Sequence, residues 1–187
     1  MEIIKGNKNN VSKIITALQN GAVLVLPTDT VYGLICDAEN EEAVKKIFEI
    51  KKRDKSKPLG VFVKEIEAAK EMAFVESRHE KFLKDNKNTV ILKAKNSSLP
   101  KLVYKDKTIG IRIPKYELLN LILEKFGKPI AQTSANISGE PATVKIADIL
   151  EQFKNQDITI VDAGNLSENK SSTIIDLTNN KINILRP

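Results

Sequence analysis

Apolar and polar positions along this chain switch between two periods, and the switches divide it into short helices and strands. Val11, Ile14, Ile15 and Leu18 keep the spacing of one helical face, and Asn20-Gly21 ends the run. Ala22 to Leu26 is wholly apolar, as expected of a strand buried on both faces. Pro27 then stops the strand, because proline cannot donate to a ladder. A helix is predicted from Glu41 to about Lys52, capped by Asn40, with Val44, Ile47 and Phe48 inward and its acids early, as the helix dipole favours. Gly60 to Val63 reads as a strand, Ile66 to Phe74 as a helix, and Thr89–Lys93 and Thr108–Ile113 as strands. Tyr116 to Phe126 reads as a helix closed by Gly127-Lys128-Pro129. Strands at Ile130–Gln132 and Ile158–Val161 flank a helix near Ile146–Phe153. A hairpin, Thr173–Leu177 and Lys181–Leu185, turns through Asn179-Asn180.

This alternation predicts one α/β domain with a mixed sheet, over residues 1–187. No repeat or low-complexity tract interrupts it, and Lys95–Lys107 and Asn165–Ser171 are the polar loops. The composition, 41% hydrophobic over 187 residues, fits a single core. No apolar run approaches the roughly 20 residues that span a bilayer, so no membrane partner is expected. Met1–Asn7 has no signal-peptide core. A single cysteine, Cys36, excludes an intrachain disulfide and fits a reducing compartment. With one cysteine and one histidine, a Cys/His zinc site is excluded. His79 lies in the charged stretch Glu76–Lys81, which reads as a solvated helix face. A catalytic triad would have to recruit that residue. Any metal must be held by oxygen atoms or arrive with a substrate.

Charge changes the picture. Between Lys45 and Lys57 seven cations stand against two acids, a local excess of five in a chain whose net charge is +6. So local a cluster points to a polyanion bound at one place.

Five segments carry candidate chemistry. Pro27-Thr28-Asp29-Thr30-Val31-Tyr32-Gly33-Leu34 follows the buried strand, where ligands sit in open α/β sheets, although a polar turn capping the next element uses the same residues. Lys51 to Leu59 runs its cations past the helix into a loop before a strand. Helix-dipole complementarity alone accounts for some of them, and a phosphate site accounts for all. No Walker or Gly-x-Gly-x-x-Gly motif is present, so a triphosphate has to be held by side chains. Ile130 to Pro141 crowds hydroxyls, Asn136 and Gly139 at a strand end, as a capping turn or as a ring of donors for phosphate or sugar. In Thr108–Pro114, Arg112 alternates with isoleucines. It faces away from them toward solvent, a surface acid or a ligand anion. Ser171–Asp176 with Arg186 is the weakest of the five.

These segments, in this order and spacing, resemble the YrdC/TsaC family, the threonylcarbamoyl-AMP synthases of tRNA modification. The resemblance covers essentially the whole chain. It implies an α/β YrdC-like single domain, a twisted mixed β-sheet with flanking helices and a basic concave cleft. It also implies a cytoplasmic nucleotidyltransferase that joins L-threonine, bicarbonate (or CO2) and ATP into threonylcarbamoyl-AMP and pyrophosphate. That product serves modification of adenosine 37 in tRNA. Carried over by motif, Arg53 and Lys57 are the catalytic cations. Lys51, Arg53, Lys57, Thr89, Ser134, Asn136 and Arg186 bind ATP, while Thr30, Tyr32, Lys93 and Ser172 surround threonine. Mg2+ arrives with ATP, and the partners are tRNA-modification proteins that accept the intermediate, with RNA contact a further expectation. Two departures stand out: Asp85-Asn86-Lys87-Asn88 replaces a Pro-Gly-Pro-like segment, and Phe62 occupies a position that is polar in some relatives.

Two other readings keep the same fold. A non-catalytic double-stranded RNA or tRNA-binding module would use the basic surface, although 5% aromatic content with no Trp argues against base stacking. A carbamoyl-transfer domain of the hydrogenase-maturation type normally comes with zinc-finger and acylphosphatase segments, for which this length has no room.

Overall fold

The apolar runs assemble side by side into one mixed sheet. A computed structural model describes residues 1–95 and 99–187. Its strands are β1 (Glu2–Lys5), β2 (Leu24–Leu26), β3 (Gly33–Asp37), β4 (Gly60–Phe62), β5 (Asn88–Lys93), β6 (Tyr104–Lys105), β7 (Thr108–Arg112), β8 (Ile130–Ser134), β9 (Thr159–Asp162), β10 (Thr173–Asp176) and β11 (Asn183–Arg186). They are ordered β1-β9-β2-β3-β8-β4-β7-β5-β10-β11, with β6 paired to β7. Parallel pairs (β1 with β9, β2 with β9, β4 with β7, β5 with β10) mix with antiparallel ones. The helices are α1 (Val11–Gln19), α2 (Glu41–Lys51), α3 (Ile66–Met72), α4 (Ser77–Lys84), α5 (Glu117–Phe126) and α6 (Ile146–Phe153). None among the described residues is long and apolar enough to cross a membrane.

Local signals behave as their chemistry demands. The Asn40 side chain accepts from the Ala43 amide at 3.0 Å and caps α2. Gly127, at φ 69°, closes α5. The C-terminal hairpin forms as β10 and β11. Four differences are informative. β3 was not anticipated, because Leu34-Ile35-Cys36 is too short a run to separate from the motif before it. β1 and β6 are short and lie outside the expected elements. Part of the expected Lys95–Lys107 loop is a tight hairpin, β6–β7, turning through Asp106 (φ 48°) and Lys107 (φ 60°), and residues 96–98 of it lie outside the described residues. His79 is buried rather than on a solvated face. Its Nδ1 accepts from the Glu76 amide at 3.1 Å, and Glu76 in turn caps the N-terminus of α4.

The core lies on both faces of the sheet. On one, α2, α3, α4 and α6 pack Val44, Ile47, Ala69, Leu83 and Phe153 against Leu34, Cys36, Val61, Val90 and Ile111. On the other, α1 and α5 pack Ile14, Leu18, Leu119 and Ile122 against Leu24, Ile35, Phe62 and Ile130. These two helices cover only part of their face. Gly60, Gly110, Thr89, Ile91 and Ile174 alternate with buried Val61, Ile111, Val90 and Ile175, and they line an open cleft beside the helices.

Candidate functional site

The cleft has a volume of about 460 Å³, within the range of small-molecule sites. Its walls include the cations Arg53, Lys57, Arg112 and Arg186, the hydroxyls of Thr28, Thr30, Thr89, Ser134 and Ser172, and, among the described residues, no carboxylate.

The cationic wall follows from how α2 ends. Lys52 adopts the left-handed conformation (φ 50°), turning the chain out of the helix. The Arg53 amide then bonds to the Phe48 carbonyl at 2.9 Å. Asp54 accepts from both the Ser56 amide and hydroxyl at 2.8 Å, shaping the turn and lying below the usual carboxylate range. The Arg53 Nε donates to the Lys57 carbonyl (2.8 Å) and its Nη2 to the Pro58 carbonyl (3.1 Å), so the guanidinium braces the loop while Nη1 meets no acceptor among the described residues. Burial first, and then Arg186, lowers the Arg53 pKa. Burial also lowers the pKa of Arg112 and Arg186, and Arg186 acts against Arg112 as well. The cations repel one another across the cleft, which is the electrostatic signature of a site for a polyanion.

A second wall is a polar network around Arg112. Its Nη2 donates to Asp29 at 2.6 Å, its Nη1 to the Thr30 hydroxyl at 3.1 Å and its Nε to the Asn86 carbonyl at 2.9 Å. The guanidinium also lies over the Phe62 ring, 5.6 Å from its centroid. Arg112 faces away from the isoleucines as expected, but the anion that meets it is the protein's own Asp29. Hydroxyl protons in this network have fixed directions. The Thr28 hydroxyl donates to the Val31 carbonyl at 2.7 Å, so in its 3.1 Å contact with Thr30 it must accept. Thr30 therefore gives its proton to Thr28 and one lone pair to Arg112, leaving one lone pair for a ligand N–H or O–H.

The C-terminal hairpin supplies the third wall. Arg186 donates through Nε (3.0 Å) and Nη2 (2.7 Å) to the Ser172 carbonyl, and the Ser172 hydroxyl meets the Thr89 hydroxyl at 2.8 Å.

Eight of the expected site residues therefore share one cleft: Thr30, Tyr32, Arg53, Lys57, Thr89, Ser134, Ser172 and Arg186. The structure places four of the expected residues in surroundings that the sequence did not show. The Tyr32 hydroxyl is spent on the fold, donating to the Gly164 carbonyl at 2.6 Å and accepting from the Ala163 amide at 3.2 Å, and burial raises its pKa to about 12. Lys51 is buried behind the cleft, where its Nζ meets the carbonyls of Ser134 and Asn136 at 2.8 Å. Asn136 does not line the cleft either, because its amide group bonds to the carbonyls of Ile137 (3.0 Å) and Glu140 (2.6 Å). Lys93 is exposed on the strand face shared with Thr89 and Ile91, beyond the lining. Gln132, Gly60 and Gly110 line the cleft and were not anticipated. The signal for the glycines was their place inside apolar strands, where glycine marks close approach. Asn86, in the segment that departs from the expected pattern, bonds Asp29 at 2.8 Å and so completes the Arg112 network.

A mixed α/β sheet carrying a cation- and hydroxyl-lined cleft, without a carboxylate among the described residues of its lining, defines a class of protein whose cleft suits a small polyanion. The family model Sua5/YciO/YrdC, described as telomere recombination, matches residues 16–187, and the chain belongs to that family. It is 32% identical to the putative threonylcarbamoyl-AMP synthase of Methanocaldococcus jannaschii, over 100% of this chain and 91% of the relative. It is 31% identical to the threonylcarbamoyl-AMP synthase of Pseudoalteromonas translucida, over 94% of this chain and 97% of the relative. Among solved structures, P. abyssi Sua5 complexed with L-threonine superposes with a TM-score of 0.90 at 29% identity, covering 100% of this chain and 56% of that one. The chain thus spans little more than half the length of that archaeal protein.

Proposed function

We propose that this chain is an L-threonylcarbamoyladenylate synthase, a nucleotidyltransferase acting on ATP, L-threonine and bicarbonate or CO2. The observation that carries the reading is the convergence of Arg53, Lys57 and Arg186 with ordered hydroxyls in one cleft that has no carboxylate among the described residues of its lining. The similarity to the putative threonylcarbamoyl-AMP synthase of M. jannaschii and the threonylcarbamoyl-AMP synthase of P. translucida, and the L-threonine bound by P. abyssi Sua5, support it.

In this reading the threonine amine adds to CO2 and loses a proton, giving a carbamate. A carbamate oxygen attacks the α-phosphorus, the bond to the bridging oxygen breaks, and pyrophosphate leaves. The chain supplies position and charge rather than a nucleophile. Arg53 and Lys57 neutralise the departing phosphates, Arg186 and Ser134 hold the nucleotide, and Thr89 and Ser172 stand between the two substrates. Thr30, able only to accept, meets an N–H or O–H of the amino acid. Mg2+ arriving with the triphosphate would offset part of its negative charge, and the Ser134, Thr89 and Ser172 hydroxyls of the lining would be the hard oxygen donors available to it. The product passes, in the cytoplasm, to proteins that modify adenosine 37 of tRNA.

Pyrophosphate release tests the proposal, with ATP, threonine and bicarbonate omitted in turn. Release should require all three, and release that persists without threonine or without bicarbonate overturns it.

A further inference from the structure

Lys51 is only 3% exposed, and its Nζ is surrounded by three oxygens: the Ser134 carbonyl (2.8 Å), the Asn136 carbonyl (2.8 Å) and Asn136 Oδ1 (2.6 Å). Its own carbonyl accepts from the Ser138 amide at 2.8 Å, so this one residue ties the 134–138 turn to the end of α2 at both of its ends. Ser134 is the member of that turn that reaches the cleft, and its hydroxyl donates to the same Asn136 Oδ1 at 2.7 Å.

An ammonium carries three protons for three oxygens. A neutral amine carries two, and its lone pair faces the third oxygen. The turn is fully clamped only when Lys51 is charged, yet its surroundings oppose the charge. Among the described residues no carboxylate bonds to it. The nearest carboxylates in sequence, Glu49 and Asp54, are exposed, as are Glu140 just beyond the turn and the neighbouring Lys52. Strand β8 and the turn offer only uncharged oxygens. The charged groups that act on Lys51 are two cations, Arg53 from the loop after α2 and Arg186 from β11, both in the cleft lining.

We propose that Lys51 is a positioning residue that takes up a proton when a polyphosphate settles on Arg53 and Arg186, and that it thereby locks the Ser134–Asn136 turn around the occupied site. Burial, then Arg53, then Arg186 push its pKa down to about 7. A polyphosphate brings several negative charges against those same arginines, so the charged form of Lys51 becomes the favoured one. The identity of the polyphosphate as ATP rests on the functional reading above. The proton uptake is a separate consequence of the buried lysine.

Calorimetric titration of the protein with ATP alone, at pH 8 in two buffers of different ionisation enthalpy, tests the coupling. At this pH the terminal phosphate is already ionised, so uptake reports on the protein. Wild type should take up about half a proton or more per ATP, making ATP affinity fall severalfold for each unit of rising pH above 8. Lys51→Arg, always charged, should bind ATP without uptake, and Lys51→Met should show neither uptake nor full affinity. ATP binding to wild type without proton uptake overturns the coupling, as does equal uptake in either variant. If the arginine variant does not fold, wild type and Lys51→Met still decide. Failure of wild type to bind ATP at all overturns the functional reading and the coupling with it.

Discussion

Asp29 and Arg112 form an ion pair at 2.6 Å with side-chain exposures of 7% and 3%. The second Asp29 oxygen accepts from Asn86 Nδ2 (2.8 Å) and the Lys115 amide (2.9 Å), so the carboxylate is satisfied on all sides. The pair turns a strand arginine into a rigid part of the cleft wall and fixes the direction of the Thr30 hydroxyl.

Removing one partner of such a pair leaves an uncompensated buried charge. Asp29→Ala should lose about 3–5 kcal/mol of stability in urea denaturation. The double variant Asp29→Leu/Arg112→Met should recover most of that loss. A loss below about 1 kcal/mol for Asp29→Ala would mean that water replaces the carboxylate.

Lys57 is exposed, and among the described residues its side chain makes no hydrogen bond or ion pair. Lys57→Ala should keep the stability of the parent and weaken ATP binding by about 1.5–3 kcal/mol, the worth of a charge-assisted contact. Arg53→Ala should weaken ATP binding as well and also loosen the loop, since it loses the bonds to the Lys57 and Pro58 carbonyls. Unchanged ATP affinity in Lys57→Ala would place the triphosphate elsewhere.

Gly110 needs neither a special φ nor a tight fit. A methyl there would meet Thr89 Cγ2 at 3.5 Å, an ordinary contact, and point into the cleft. Gly110→Ala should therefore fold as stably as the parent, or gain up to about 1 kcal/mol. Its affinity for ATP or for threonine should nonetheless drop, as calorimetry of each ligand would show. Parental affinity for both would mean that no substrate touches this part of the floor.

Burial first, and then Arg78, lowers the His79 pKa. A base with a lowered folded-state pKa lets the unfolded chain take up protons first, so stability is lost as pH falls through the ordinary histidine value and is complete above it. Protonation would also put a proton on Nδ1 against the Glu76 amide. Urea midpoints should decline from pH 8 to pH 5, and His79→Gln should flatten that decline. Activity should survive both His79→Ala and Cys36→Ala, because neither residue lines the cleft. Loss of pyrophosphate release in a folded variant would sink a mechanism without a protein nucleophile.

Thr30 offers a single lone pair, which makes the ligand hydroxyl or N–H the partner it needs. If it reads the threonine hydroxyl, valine should be rejected more strongly than serine. A missing methyl is worth only about 1–3 kcal/mol, whereas a buried polar group left unpaired excludes far more. Equal turnover of threonine and valine would show that the hydroxyl is not read.

Elements with a clear period were legible in the chain. The α1 face of Val11, Ile14 and Leu18, the Asn40 cap of α2 and the C-terminal hairpin all follow from local geometry and need no distant partner. Eight of the motif residues, far apart in the chain, meet in one cleft. Their individual duties were not legible. Lys51 and Arg53 are two positions apart in one cationic run, yet one is buried against Ser134 and Asn136 while the other faces the cleft. His79 looked solvated because its neighbours are charged, but a helix has two sides and only the packing of α4 shows which one it occupies.

The sequence by itself determined where apolar runs end, where cations cluster and in what order the hydroxyl segments occur, because these are properties of neighbouring residues. Tertiary structure alone decided which polar atoms remain free. Tyr32 lost its hydroxyl to Gly164, 132 positions away, and Lys51 lost its ammonium to residues 83 and 85 positions away. Buried donors and acceptors must find partners wherever the fold brings them, and the groups left over are the ones a ligand can use.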